Sequence, residues 1–190
     1  MPVTTLDRGA ALVVIDLQKG ILALRTAHPT ADVVTKAGCL ATAFRREGLP
    51  VVIVNVAGAA TGRSEISRPA SPPAAGWTDL VPELNVQDGD ILITKHRWNA
   101  FAETTLDRTL HERNVTQIIL AGVATSMGVE STARAAHERG YNVVLVTDAM
   151  TDRNVDTHTN SIERIFPLLG ERTTTADLLH FLLTAPAAKT

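Results

Sequence analysis

The chain has 190 residues, a formal net charge of −2 and a hydrophobic fraction of 45%. That charge gives no electrostatic case for binding nucleic acid or an anionic membrane, and no apolar run approaches the roughly 20 residues that span a bilayer. A single cysteine, Cys39, leaves no internal disulfide.

The length suits one domain over residues 1–190, with a sizeable core. The N-terminal Met1–Arg8 lacks the cationic-then-apolar pattern of a secretory signal, so a cytoplasmic protein is expected. In chain order, the first apolar run is Ala10–Asp16, ending in a carboxylate. Ala31–Glu47 follows as an amphipathic helix stopped by Gly48. Cys39 lies within that helix, where a buried structural thiol is expected. Pro50–Val56 is a second apolar run, rich in β-branched residues. Gly58–Trp77, with Pro69, Pro72 and Pro73, reads as a long loop, expected to act as a lid or an oligomer contact. Asp90–Lys95 is the third run, and Glu103–Arg113 a helix. Gln117–Gly122 is the fourth run, leading into a helix over Val129–Arg139 that ends at Gly140. Asn142–Thr147 is the fifth, and Val155–Phe166 and Thr175–Leu183 read as two further helices. Short apolar runs alternating with helices predict an α/β fold, a three-layer α/β/α sandwich around a mostly parallel sheet. Ligands in such sheets bind beyond the carboxyl ends of the strands. Asp16, Lys95 and the loop Gly122–Gly128 each follow a strand run, so all three are expected at one edge.

Several residues there could carry chemistry. Burial beside an apolar strand would raise the pKa of Asp16 and suit it to acid or base work; the same carboxylate could instead cap a turn. Lys95 could pair with Asp16 or reach into solvent. Arg97 could hold a carboxylate bidentately or form a surface ion pair. Trp98 and Phe101 could wall a pocket or belong to the core. Gly122–Gly128 enters a helix near Met127, where backbone N–H groups could receive an anion or simply close a tight turn. Gly128 would let a ligand approach the backbone. The six histidines show no metal-ligand spacing, and no phosphate-binding glycine loop is present, so no metal and no cofactor are expected.

Together and in this order, Val14-Ile-Asp16-Leu-Gln18, Lys95 with Arg97, Ala100 and Phe101, Gly122-Val-Ala-Thr125 with Ser131-Thr-Ala-Arg134, and Thr147-Asp148-Ala149 resemble the isochorismatase-like hydrolases, also called the cysteine hydrolase family. The resemblance runs from about residue 10 to residue 180. It implies that Asp16 and Lys95 are catalytic and places a non-proline cis peptide at Val123–Ala124. Most members of that family carry a catalytic cysteine where this chain has Gly128, so the resemblance argues against a thioester route. The second strand, with Asn55, lacks the Asp and His metal ligands of the nicotinamidase branch. The expected reaction is cofactor-independent hydrolysis of a small substrate, isochorismate or a related vinyl ether, with Asp16 as acid or base and Lys95 as its partner. Arg97, Trp98, Ala124, Thr125, Met127, Gln18 and Asn55 are the expected substrate-binding residues. Water-driven hydrolysis of an amide-like molecule and non-catalytic ligand binding are the alternatives. The family habit also implies a homo-oligomer, a dimer or tetramer.

Overall fold

A computed structural model describes residues 3–59, 62–65 and 74–184. Six strands form one sheet: β1 (Ala10–Ile15), β2 (Val51–Val56), β3 (Ile91–Lys95), β4 (Gln117–Val123), β5 (Asn142–Thr151) and β6 (Glu171–Thr173). Their order is β3-β2-β1-β4-β5-β6, and every neighbouring pair is parallel. The chain builds outward from β1 to β3, then returns to lay β4 against the other side of β1. That reversal is a topological switch point, where open α/β sheets bind ligands.

Helices cover both faces. On one side, α2 (Thr30–Arg46) and α7 (Thr175–Thr184) pack over Leu12 and Val14 of β1. On the other, α3 (Leu106–His111), α4 (Glu130–Glu138) and α6 (Phe166–Leu169) pack over Ala11, Val13 and Ile15. Consecutive β1 side chains thus enter opposite cores, which is why the strand is apolar at every position. Two short helices, α1 (Lys19–Leu22) and α5 (Val155–Asn160), complete the set, with π-helical turns at Thr125–Val129 and Ser161–Ile165. None of the described helices is long and apolar enough to cross a membrane.

The expected α/β sandwich is therefore what the chain forms. The structure adds β6, α1 and a 3₁₀ turn at Pro82–Leu84. It also corrects the expectation for Cys39, which is exposed. The buried stripe of α2 runs through Ala37, Leu40, Ala41 and Phe44, and position 39 falls off it. Much of the expected Gly58–Trp77 loop, including Pro69, Pro72 and Pro73, lies outside the described residues.

Candidate active site

β1, β3 and β4 end at the same edge of the sheet, and each delivers one part of the site. Asp16 follows β1. Its backbone has φ +54°, a left-handed conformation that costs a non-glycine residue about 1–2 kcal/mol. Its carboxylate is buried and receives Lys95 Nζ on Oδ2 at 2.7 Å. Lys95 closes β3, is only 1% exposed, and also donates to the Arg97 carbonyl at 3.2 Å. The other oxygen, Asp16 Oδ1, is buried and has no hydrogen-bond partner among the described residues. Burial drives the carboxyl pKa up to about 6, against the opposing pull of the Lys95 charge and hydrogen bond.

β4 delivers the turn. Gly122 sits at φ +121°, where a Cβ would fall 2.1 Å from the Ile15 carbonyl oxygen, so glycine is what lets β4 lie this close to β1. The next peptide, Val123–Ala124, is cis, as the resemblance implied. The chain then winds through Thr125–Val129. Gly128 packs beside Asp16: a Cβ there would meet Ile15 Cγ2 at 2.9 Å and Asp16 Oδ2 at 3.3 Å. Thr132, fully buried, ties the turn to the lysine segment by donating to the Gly128 carbonyl and accepting from the Ala100 amide.

These pieces surround a cavity of about 200 Å³. Asp16, Lys95, Trp98, Ala124, Met127 and Gly128 line it. Ile21, Leu24 and Val56 make the rest largely apolar. Phe101, by contrast, is a core residue, 5% exposed.

The remaining expected binding residues have other partners and are not among those lining the cavity. Arg97 pairs with Glu103 at 3.2 Å. Thr125 is fully buried, its Oγ1 2.8 Å from His158 Nδ1. Gln18 is also fully buried; its Oε1 accepts from the Val56 amide, and its Nε2 donates to the carbonyls of Val56 and Trp77. Asn55 donates to the Thr78 carbonyl and accepts from Thr94. Gln18 and Asn55 thus fasten the Trp77–Thr78 segment to β2, and Trp77 is itself a wall of the cavity. The Met127 amide, proposed from sequence as an anion donor, is bonded to the Ala124 carbonyl instead.

Three residues behind the turn escaped sequence reasoning. Asp152 accepts from the Ser126 amide at 2.6 Å and from the Arg153 amide. His158 supports Thr125 and packs against His28, ring centroids 4.7 Å apart and planes tilted by 56°. Its pKa is lowered, first by burial and then by the neighbouring imidazole. Arg153, just past β5, lines the cavity. No periodicity marks any of them; their one local signal is their position just beyond an apolar run. No group of three or more potential metal ligands exists among the described residues.

The sequence profile of the isochorismatase domain matches residues 10–177. The chain is 40% identical over 176 residues to an uncharacterized isochorismatase family protein, YwoC, of Bacillus subtilis, covering 89% of this chain and 92% of that protein. The structure of an isochorismatase family protein from Burkholderia thailandensis superposes with a TM-score of 0.89 at 43% identity, covering 96% of this chain and 99% of the other. N-carbamoylsarcosine amidase from Thermoplasma acidophilum shares the fold at a TM-score of 0.73 and 28% identity, over 87% of this chain and 96% of its own.

Proposed function

The chain belongs to the isochorismatase family of hydrolases, and we propose that it hydrolyses a small vinyl ether, isochorismate or a close relative, by acid catalysis at Asp16 without a covalent intermediate. The observation that carries this reading is Asp16 itself. Asp16 lines a mostly apolar cavity; one of its carboxyl oxygens is held by Lys95, and the other is buried with no hydrogen-bond partner among the described residues. A buried polar atom left unpaired costs about 1–3 kcal/mol, and taking up a proton removes the charge left without a partner, which suits Asp16 to act as an acid.

In this reaction the Asp16 carboxyl donates its proton to the terminal vinyl carbon, leaving an oxocarbenium ion at the ether carbon. Water adds to that carbon, and its proton returns to Asp16. The hemiketal then collapses to pyruvate and the alcohol. Lys95 holds Asp16 in place and tunes its ionisation. Gly128 stands where the family most often carries its cysteine, and packs so close to Asp16 that even a Cβ there would press on Ile15 Cγ2 at 2.9 Å and Asp16 Oδ2 at 3.3 Å. The chain's one thiol, Cys39, sits on α2 and does not line the cavity.

A second reading is hydrolysis of an amide-like substrate by water, with ionised Asp16 as the base. It is favoured by the likeness to a protein named as an N-carbamoylsarcosine amidase. Both readings place Asp16 at the centre. The deciding assay offers isochorismate to wild type and to Asp16→Asn and follows pyruvate. Wild type is expected to release it, and the variant to be about 100- to 10,000-fold slower, the usual worth of a positioned acid. Absence of pyruvate from wild type would remove the vinyl-ether reading, and equal rates in both proteins would remove Asp16 as the acid.

A further inference from the structure

We propose that Arg153 is the specificity-determining residue of this cavity, and that it selects substrates carrying a carboxylate. The proposal rests on the hydrolase reading of the site and names the chemical class it would take.

Three charged side chains line the cavity among the described residues: Asp16, Lys95 and Arg153. The first two form an ion pair at 2.7 Å and neutralise one another whenever Asp16 is ionised. Arg153 has no such partner: among the described residues its side chain makes no hydrogen bond or ion pair, although its backbone amide donates to Asp152 Oδ1. With Asp16 ionised, the net charge the wall presents to a ligand is therefore that of one guanidinium, and binding is compared in that state. The other arginine near the site, Arg97, is engaged with Glu103 and does not line the cavity.

A guanidinium left unpaired at the rim of an apolar cavity suits a planar anion, because it presents paired donors that match the two oxygens of a carboxylate. Its position supports this. Arg153 leaves the sheet just beyond β5, whereas Asp16 and Lys95 follow β1 and β3, two different strands on the far side of β4. A substrate held by its carboxylate at Arg153 would lay its apolar body along Leu24 and Trp98 and direct its cleavable bond toward Asp16. Arg153 is exposed, so its replacement leaves the core untouched.

The chain's two tryptophans, Trp77 and Trp98, both line the cavity, so intrinsic fluorescence reports its occupancy directly. The probes are benzoate and benzamide, which share shape and differ in charge. Titrated into wild type, benzoate is expected to bind roughly tenfold or more tightly than benzamide, the scale of a charge-assisted hydrogen bond. Arg153→Met should abolish that preference while leaving benzamide binding, circular dichroism and Tm unchanged. Arg153→Lys should restore part of it. Equal affinities in wild type, a preference that survives in Arg153→Met, or no response to either probe up to about 10 mM would each overturn the proposal. The titration reads binding alone, so it can fail while Asp16-dependent turnover stands, and it can succeed where that turnover is absent.

Discussion

Asp16 carries a carboxyl group whose ionisation sits near neutrality because burial outweighs the attraction of Lys95. The two candidate reactions need opposite states of that group, so the pH profile separates them. Acid catalysis uses the protonated form, and its rate is expected to fall as pH rises through about 6. Base catalysis uses the carboxylate, and its rate would rise through the same value. A kcat/KM profile decides between them. Lys95→Met removes the group that draws the pKa down, so the inflection of either profile should move upward. The same change breaks a buried pair, a loss of about 3–5 kcal/mol, partly relieved when Asp16 takes up a proton; a Tm series against pH checks it. Stability follows its own sign. The folded carboxyl holds its proton more tightly than the unfolded one, whose value is near 3.8. Lowering the pH from about 6 toward 3.8 therefore stabilises the native state through this group. Wild type should gain over Asp16→Asn in that window, as paired urea titrations would show.

At the scale of elements, the site is held by connections between strand ends. Gln18 uses both ends of its amide to join the segment after β1 to β2 and to the Trp77 carbonyl. Gln18→Leu fills the same space and leaves the Val56 amide and carbonyl unpaired, at about 1–3 kcal/mol for each group buried without a partner. KM is expected to rise more than kcat falls, because the wall that moves is Trp77 rather than the Asp16–Lys95 pair; steady-state kinetics with the tryptophan emission maximum would test this. The turn after β4 behaves differently. Gly128→Ala pushes a methyl group against Ile15 and Asp16. Overpacking of this kind costs about 1–3 kcal/mol, but its target is the Asp16 carboxylate proposed as the acid, so turnover should fall further than Tm. Unchanged turnover at unchanged Tm would show that the close packing of Gly128 on Asp16 does not matter to the reaction.

Across the whole molecule, the edge of the sheet opposite the candidate site carries a contribution to stability of its own. Before β3, Asp90 accepts from Arg45 through both carboxyl oxygens, at 2.9 and 2.7 Å, with its side chain 2% exposed. This clamp ties the C-terminal end of α2 to the start of β3, far from the strand ends that carry Asp16 and Lys95. Asp90→Ala leaves the guanidinium half-buried and unpaired and should cost about 3–5 kcal/mol, with KM and kcat unaltered wherever the variant remains folded. Thermal unfolding beside an activity assay at low temperature would show whether the two edges are independent.

The sequence by itself determined the five long strands, because four are apolar runs covered on both faces and the fifth, β3 at the sheet edge, is still an apolar run although its Leu92 is exposed, and it determined the edge at which Asp16, Lys95 and the Gly122–Gly128 loop meet, because parallel strands all end on the same side. It could not reveal β6, whose Glu171-Arg-Thr173 is short and polar and becomes a strand only through pairing with Val144–Val146. Nor could it sort the residues around the site. Gln18 and Asn55 sit beside strand ends as a binding residue would, yet their amides turn toward backbone groups of a distant segment. Arg97 was paired by Glu103, and Cys39 missed the buried stripe of α2 by a fraction of a helical turn. Asp152 and Arg153 joined the site because the end of β5 lies beside the end of β4, and His158 because α5 folds back beside the turn that follows. Strand identity is a local property of side-chain polarity, legible in one dimension. Which polar group faces a cavity depends on where its hydrogen-bond partner lies, and those partners are brought within reach only when the chain has folded.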